Sequence, residues 1–372
     1  MDFEPTAEQA TLVESARAVL ERECPLARVR ELVEKGVVPA EPWRSAAELG
    51  WCGIAVPEAL GGAGLGFVEL ALVVEQHGAA LAPGPFLATT TQFAPLVREA
   101  GSLEQQERWL GAVAAGTCRG ALAVAAASGA CFAPDECLRA RPDERGFVLD
   151  GARHFVIEGD AADEIGVAAR VAVGDGVGLF VVPRDAVKAQ RLQALDASRS
   201  LATLVFEGVH VAPDRTLGTP GRSAPALART LDEAAAALAL EMVGTCQALF
   251  ERTLSYTRER RQFGHPIGSF QAIQHALVDA LAALEKARAI GYFAAMAIAE
   301  DDPRRGLAAS MAKASAGDCQ RRLAKDGIQI HGGIGFTWEH DVQLFVKRAK
   351  SGEALLGGSD CHRERIASLL LA

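Results

Sequence analysis

From Thr6 the chain repeats apolar positions at helical spacing. Thr6 and Gln9 stand at capping-box distance, and Leu12, Ala16 and Leu20 follow on one stripe. Helical patterning persists to about residue 115, broken by GWCGIAVPEALGGAGLG (50–66), where glycines and a proline force loop conformations. The rhythm then changes. Between about 119 and 218 short runs rich in Val, Ile and Phe alternate with turn residues: ALAVAA, GFVLDG, HFVIEG, EIGVAARVAV, GVGLFVVP and TLVFEGVHVAP. No helix of ten residues fits between them, which predicts an antiparallel sandwich or barrel of six to eight strands. GDGVG (174–178) joins two of these strands and opens no helix, so it reads as a hairpin turn and not a nucleotide loop.

A Gly/Pro/Ser linker, LGTPGRSAP (217–225), leads back to long amphipathic patterns at about 227–262, 270–300, 303–331 and 338–370. Ser269 is placed to cap the second, whose stripe runs Ile273, Leu277, Leu281 and Leu284. Long helices with short loops indicate an up-and-down bundle. The pattern as a whole predicts an α+β protein in three parts: an N-terminal α-helical domain (1–118), a central β-barrel or sandwich domain (119–218) and a C-terminal four-helix bundle (219–372).

Composition narrows the function. The 372 residues are 49% hydrophobic and 23% charged, as in ordinary globular chains, and the net charge is −9. A binder of phosphate backbone shows a basic excess, so nucleic acid is excluded as the expected partner. The acidic excess lies before residue 221; the bundle segment is close to neutral. Eight cysteines are scattered without metal-ligand spacing, which predicts free buried thiols and no metal centre. The acidic start MDFEPTAEQ lacks the order of a signal peptide, and no apolar run of spanning length is free of charge, so a cytoplasmic protein without a membrane span is expected.

Chemistry concentrates at the ends of the bundle helices. YTRERRQFG, GSFQAIQH, QIHGGIGFTWEH and VKRAK, together with LGWCGIAVPEALGGAGLG near the N-terminus, resemble in order and spacing the motifs of the acyl-CoA dehydrogenase family, over essentially the whole chain. The resemblance implies FAD extended across two subunits, with hydride taken from the substrate β-carbon while a glutamate removes the α-proton. Carried across, Arg260 would meet the pyrophosphate, flanked by Gln262 and Phe263. Gln271 would open the next helix, and Gln329 with Gly332-Gly333 would serve the ADP end.

The resemblance fails where the base should be. The family's usual glutamate falls at Leu356, and its second known position, on the first bundle helix, falls at Ala234. Glu233, Glu241 and Glu353 are the nearby carboxylates. Glu233 is turned by about 100° from Ala234, and Glu241 lies about 10 Å further along the axis. In the β-domain, HFVIEG offers Phe155 for a tryptophan wall, but Ile157 has no hydroxyl, and Gly358 and Asp360 stand for a Thr and a Gln. Groups serving the chain's own flavin ring are thus altered, whereas groups reaching a neighbour's dinucleotide are present.

This division is similar to the glutamate-lacking subunit of heterotetrameric acyl-CoA dehydrogenases of bacterial steroid side-chain breakdown. It implies a homologous partner subunit, an acyl-CoA substrate and an electron-transferring flavoprotein as acceptor. Two alternatives stay open: a homo-oligomeric enzyme with a displaced carboxylate, and a non-catalytic acyl-CoA-binding scaffold.

Overall fold

A computed structural model of the protein describes residues 5–36, 40–129 and 137–371. The N-terminal helices are α1 (Ala7–Glu23), α2 (Leu26–Lys35), α3 (Glu41–Glu48), α4 (Phe67–Ala79), the single turn α5 (Phe86–Ala88), α6 (Ala94–Ala100) and α7 (Leu103–Ala114). The capping box at Thr6 forms as the spacing requires: Thr6 Oγ1 accepts from the Gln9 amide at 3.2 Å, and Gln9 Oε1 accepts from the Thr6 amide at 3.0 Å.

The central part is one eight-stranded sheet: β1 (Gly120–Ala123), β2 (Leu138–Asp143), β3 (Gly146–Ile157), β4 (Glu164–Arg170), β5 (Val177–Pro183), β6 (Lys188–Arg191), β7 (Leu201–Val211) and β8 (Thr216–Leu217). The order is β6-β7-β3-β2-β4-β5-β8, with β1 pairing β4. Two expectations are corrected. The sheet does not close into a barrel, because β6 and β8 remain unpaired edges. Nor is it wholly antiparallel, since β1 runs parallel to β4 and a single bridge joins β2 to β4 in parallel. GDGVG turns the antiparallel β4–β5 pair, with Gly174 and Gly176 at positive φ.

The bundle consists of α8 (Ala224–Glu259), α9 (Gln271–Ala299), α10 (Arg305–His331) and a fourth member broken into α11 (Val342–Ala354) and α12 (Ser359–Leu371). That break was not expected from the 338–370 pattern. Its cause is local, because Leu356 and Gly357 adopt φ of 54° and 88°, outside the right-handed helix. Ser269 does not cap α9. Its hydroxyl donates to the Pro266 carbonyl at 2.7 Å inside a 3₁₀ turn, and Phe270 occupies the cap position.

The core explains why α8 is so poor in large side chains. One hydrophobic cluster fuses α1 to α4 with the bundle, and Ala236 to Leu240 of α8 are at most 1% exposed within it. Among the described residues α8 is the one helix long and apolar enough to cross a membrane by length and composition, but that stretch is buried inside the protein. α4 crosses α8 at backbone distance. A β-carbon on Gly78 would lie 1.9 Å from the Glu241 carbonyl oxygen, and one on Gly244 would lie 1.9 Å from that of Glu75. Gly244→Ala therefore forces the helices apart. The expected loss is about 1–3 kcal/mol in a denaturant titration; an unchanged midpoint would show that the crossing relaxes freely.

No disulfide joins any of the described cysteines. Cys24, Cys52, Cys118, Cys246 and Cys319 are buried as expected, whereas Cys137 and Cys361 are exposed; Cys131 lies outside the described residues.

Candidate functional site

After α8 ends, Arg261–Gln262 (β9) pairs antiparallel with His265–Pro266 (β10). Phe263 and Gly264 form the two-residue turn, at φ of 53° and 80°. Positive φ at both central positions is what such a hairpin requires, and Asn-Gly or Gly-Gly would meet it without strain. Phenylalanine instead carries the left-handed cost of about 1–2 kcal/mol. It also leaves its ring 89% exposed, in edge contact with Phe270 at 6.2 Å. Within its own chain this strained, solvent-exposed aromatic has that single edge contact to offset its cost.

The hairpin forms one wall of an open cleft of about 520 Å³. Arg260, Gln262 and Ile267 face the end of α10 and the turn after it, including His331, Gly332 and Gly333. Tyr256 and His331 stack with centroids 4.3 Å apart and form the floor, and His331 Nδ1 donates to the Gly327 carbonyl at 2.8 Å. Exposed apolar groups stand close by in the chain: Ile334, Phe336 and Trp338. Gly332 adopts φ 64°, ψ −143°, a region open only to glycine. Gly333 is different. A β-carbon there would meet nothing within 4 Å, so nothing in this chain demands glycine at that position. Among the described residues the Arg260 guanidinium has no hydrogen bond or ion pair.

Four of the seven predicted binding residues, Arg260, Gln262, Gly332 and Gly333, thus line one cleft. Phe263 stands at the hairpin tip. Gln271, first in α9, and Gln329, in the last turn of α10, are exposed and outside its lining. Tyr256 and His331 were not singled out by sequence reasoning, because their stacking joins positions 75 residues apart.

At the other candidate centre, Leu356 forms the elbow between α11 and α12. Buried Lys313 of α10 fixes that elbow, donating to the carbonyls of Glu353 at 3.0 Å and Gly357 at 2.9 Å. His362 Nε2 donates to the Leu356 carbonyl at 2.9 Å. The Leu356 side chain packs on two hydrophobic clusters. Ala234 is fully buried.

None of the three weak candidate carboxylates is unpaired. Glu233 takes Arg98 of α6 at 2.5 Å, and Glu353 takes Arg321 at 2.6 Å and Lys350 at 2.7 Å. Glu241 is gripped by Arg199 and, at 2.8 Å, by Arg348. Burial pushes the Glu241 carboxyl up, but the two guanidiniums outweigh it and hold it below the ordinary range. A carboxylate so neutralised is a poor acceptor for a weakly acidic proton.

Two family models match the chain: the N-terminal domain of acyl-CoA dehydrogenase over residues 6–117 and its C-terminal domain over 224–371. The acyl-CoA dehydrogenase IpdE2 of Mycolicibacterium smegmatis is 31% identical across 94% of both chains. The chain belongs to the acyl-CoA dehydrogenase family. The acyl-CoA dehydrogenase FadE34 of Mycobacterium tuberculosis is 33% identical over 90% of this chain, which spans 43% of that longer protein. Among solved structures, the ChsE4-ChsE5 complex from Mycobacterium tuberculosis contains a chain of the same fold, with a TM-score of 0.90, 27% identity and coverage of 100% and 99%.

Within this acyl-CoA dehydrogenase fold a buried ionic network joins the sheet to the bundle. Arg348 of α11 contacts Glu241 of α8 and, at 3.0 Å, Asp196 in the loop between β6 and β7. It also donates to Ser198 Oγ and to the carbonyls of Leu81, Ala82 and Ser198. No sequence motif announced this hub, since Arg348 lies more than 100 residues from every partner it holds.

Proposed function

We propose that this chain is a subunit of an FAD-dependent acyl-CoA dehydrogenase and completes the FAD site of a homologous partner subunit. The partner supplies the carboxylate that takes the α-proton. Bound FAD supplies the acceptor for the hydride leaving the substrate β-carbon. The residues present fit the adenine and pyrophosphate portion of that group. Arg260 offers an unpaired planar guanidinium suited to phosphate oxygens. Gly333 leaves open backbone that no contact of this chain explains. Gln262 and Phe263 would flank the phosphates, with Gln271, Gln329 and the Gly332 turn at the adenosine end.

One observation carries the reading: an unpaired arginine stands in an open cleft at one end of the bundle, while the elbow where the family's base belongs presents Leu356. Every carboxylate considered in its place is tied to arginine or lysine. The pairing of Glu233, Glu241 and Glu353 counts against a self-sufficient homo-oligomer. The aromatic hairpin tip and the free guanidinium count against a scaffold that binds acyl-CoA alone. The proposal extends, by resemblance to the relatives alone, to an acyl-CoA of bulky, steroid-like or branched form and an electron-transferring flavoprotein as acceptor.

The test is an absorbance scan of the chain purified alone and coexpressed with a neighbouring homologue. Colourless protein alone and yellow complex with one flavin per pair of chains is the expected result. Flavin-loaded, acyl-CoA-oxidising protein from this chain by itself would replace the reading with the homo-oligomer, and absence of flavin in both preparations would leave the scaffold.

A further inference from the structure

Glu158 follows β3 in a turn, at φ 55°, and is 2% exposed. Its Oε1 accepts from the Ser200 amide at 3.2 Å, and its own amide donates to the Ser200 carbonyl at 3.0 Å, so the carboxyl is pinned beside the residue that follows Arg199. Its Oε2 is buried and has no partner. Arg199 shows the complementary defect. Its Nη2 donates to both oxygens of Glu241, while its buried Nη1 has no partner. An unpaired acceptor on Glu158, which is bonded to Ser200, and an unpaired donor on Arg199, which precedes Ser200, are therefore buried within reach of each other's charge, where each unmet group costs about 1–3 kcal/mol.

Charge counting explains why they have not joined. The hub holds two cations, Arg199 and Arg348, and two anions already bound to them, Glu241 and Asp196. Glu158 is a third acid without a cation of its own. Asp160 adjoins it in the same turn and accepts from Ser200 Oγ, and Arg119 is occupied by Asp163 at 2.7 Å. His77 of α4 faces the hub uncharged, its pKa lowered to about 3 chiefly by burial. Burial first, and then the charge of Asp160, push Glu158 up to about 7 against the pull of the Ser200 amide, Arg199 and Arg348.

We propose that Glu158 and Arg199 form a proton-controlled latch between the sheet and the bundle. With Glu158 protonated, Arg199 commits to Glu241 on α8 and ties the β6–β7 loop to the bundle. When Glu158 loses its proton, its carboxylate competes for the free Nη1, and Arg199 is shared between β3 and α8. The tie to Glu241 weakens, and the loop at 196–200 loosens from the bundle. The folded chain holds this proton above the ordinary glutamate range of about 4.3. The associated stability is complete below that range and is lost as pH rises through about 7.

The experiment is hydrogen exchange on the full chain at pH 6 and pH 8, corrected for intrinsic rates, in the wild type and Glu158→Gln. A group titrating near 7 changes its ionised fraction about tenfold across that interval. The segment 196–204 of the wild type should accordingly open by up to about that factor more at pH 8, and Glu158→Gln should remove the dependence. Equal pH dependence in both proteins overturns the latch. Should the variant fail to fold, the titration of the wild-type side-chain carboxyl by NMR decides: a midpoint near 7 upholds it, and one in the ordinary glutamate range overturns it.

Discussion

Arg260→Ala, purified together with the homologous partner, is expected to lose FAD while the chain itself stays folded. A charged hydrogen bond to a phosphate oxygen contributes about 1.5–3 kcal/mol, so the dissociation constant for FAD should rise about 10- to 100-fold. The thermal midpoint of the isolated chain should not move, because the guanidinium is exposed and holds nothing in its own protomer. Arg260→Lys should recover only part of the affinity, since an ammonium keeps the charge but not the planar pair of donors. Flavin fluorescence during dilution measures the FAD affinity of both variants, and thermal denaturation followed by circular dichroism measures the midpoint of the isolated chain. Undiminished FAD retention in Arg260→Ala would remove the cleft from the cofactor site.

The second large effect is expected at Arg348. Its removal leaves Asp196 without its cation and Glu241 with Arg199 alone, and strips a donor from the carbonyls of Leu81, Ala82 and Ser198. Breaking a buried ion pair from one side costs about 3–5 kcal/mol. Arg348→Ala should therefore lower the denaturant midpoint by a large fraction of a stability that is typically about 5–15 kcal/mol. Lys188→Ala is the control. Lys188 pairs with Glu207 at 2.5 Å, but both side chains are more than 60% exposed, and its loss should fall within about 1 kcal/mol. Equal losses for the two variants would mean that the hub does not hold the domains together.

The three-part order of the chain was legible because it rests on periodicity. Alanine-rich α8 and the alternating strands announce themselves without tertiary information. The open sheet was less legible, because strand patterns fix which face is buried but not whether edge strands meet; β6 and β8 do not. The elbow at Leu356 was missed as a break since leucine ordinarily favours a helix; its left-handed backbone adjoins Gly357 and is held by hydrogen bonds from nearby His362 and from distant Lys313. Gly332 and Gly333, Arg260 and Gln262 were visible as motif residues, and folding brings those four to one cleft. The Tyr256–His331 floor and the Arg199–Glu241–Arg348 hub were invisible, because each depends on side chains meeting across long separations. The pairing of Glu233, Glu241 and Glu353 belongs to the same class. Helical spacing gave directions for Glu233 and Glu241, and only the packed neighbours Arg98, Arg199, Arg348, Arg321 and Lys350 reveal that all three carboxylates are neutralised.

The measurement that bears most directly on the central claim is a structure of the chain bound to its homologous partner and FAD. The account predicts Arg260 within hydrogen-bond distance of the pyrophosphate, Phe263 buried against the partner, and the isoalloxazine ring in the partner's protomer beside a glutamate of that chain. An isoalloxazine ring seated in this chain next to Leu356, with Arg260 still in solvent, would contradict it.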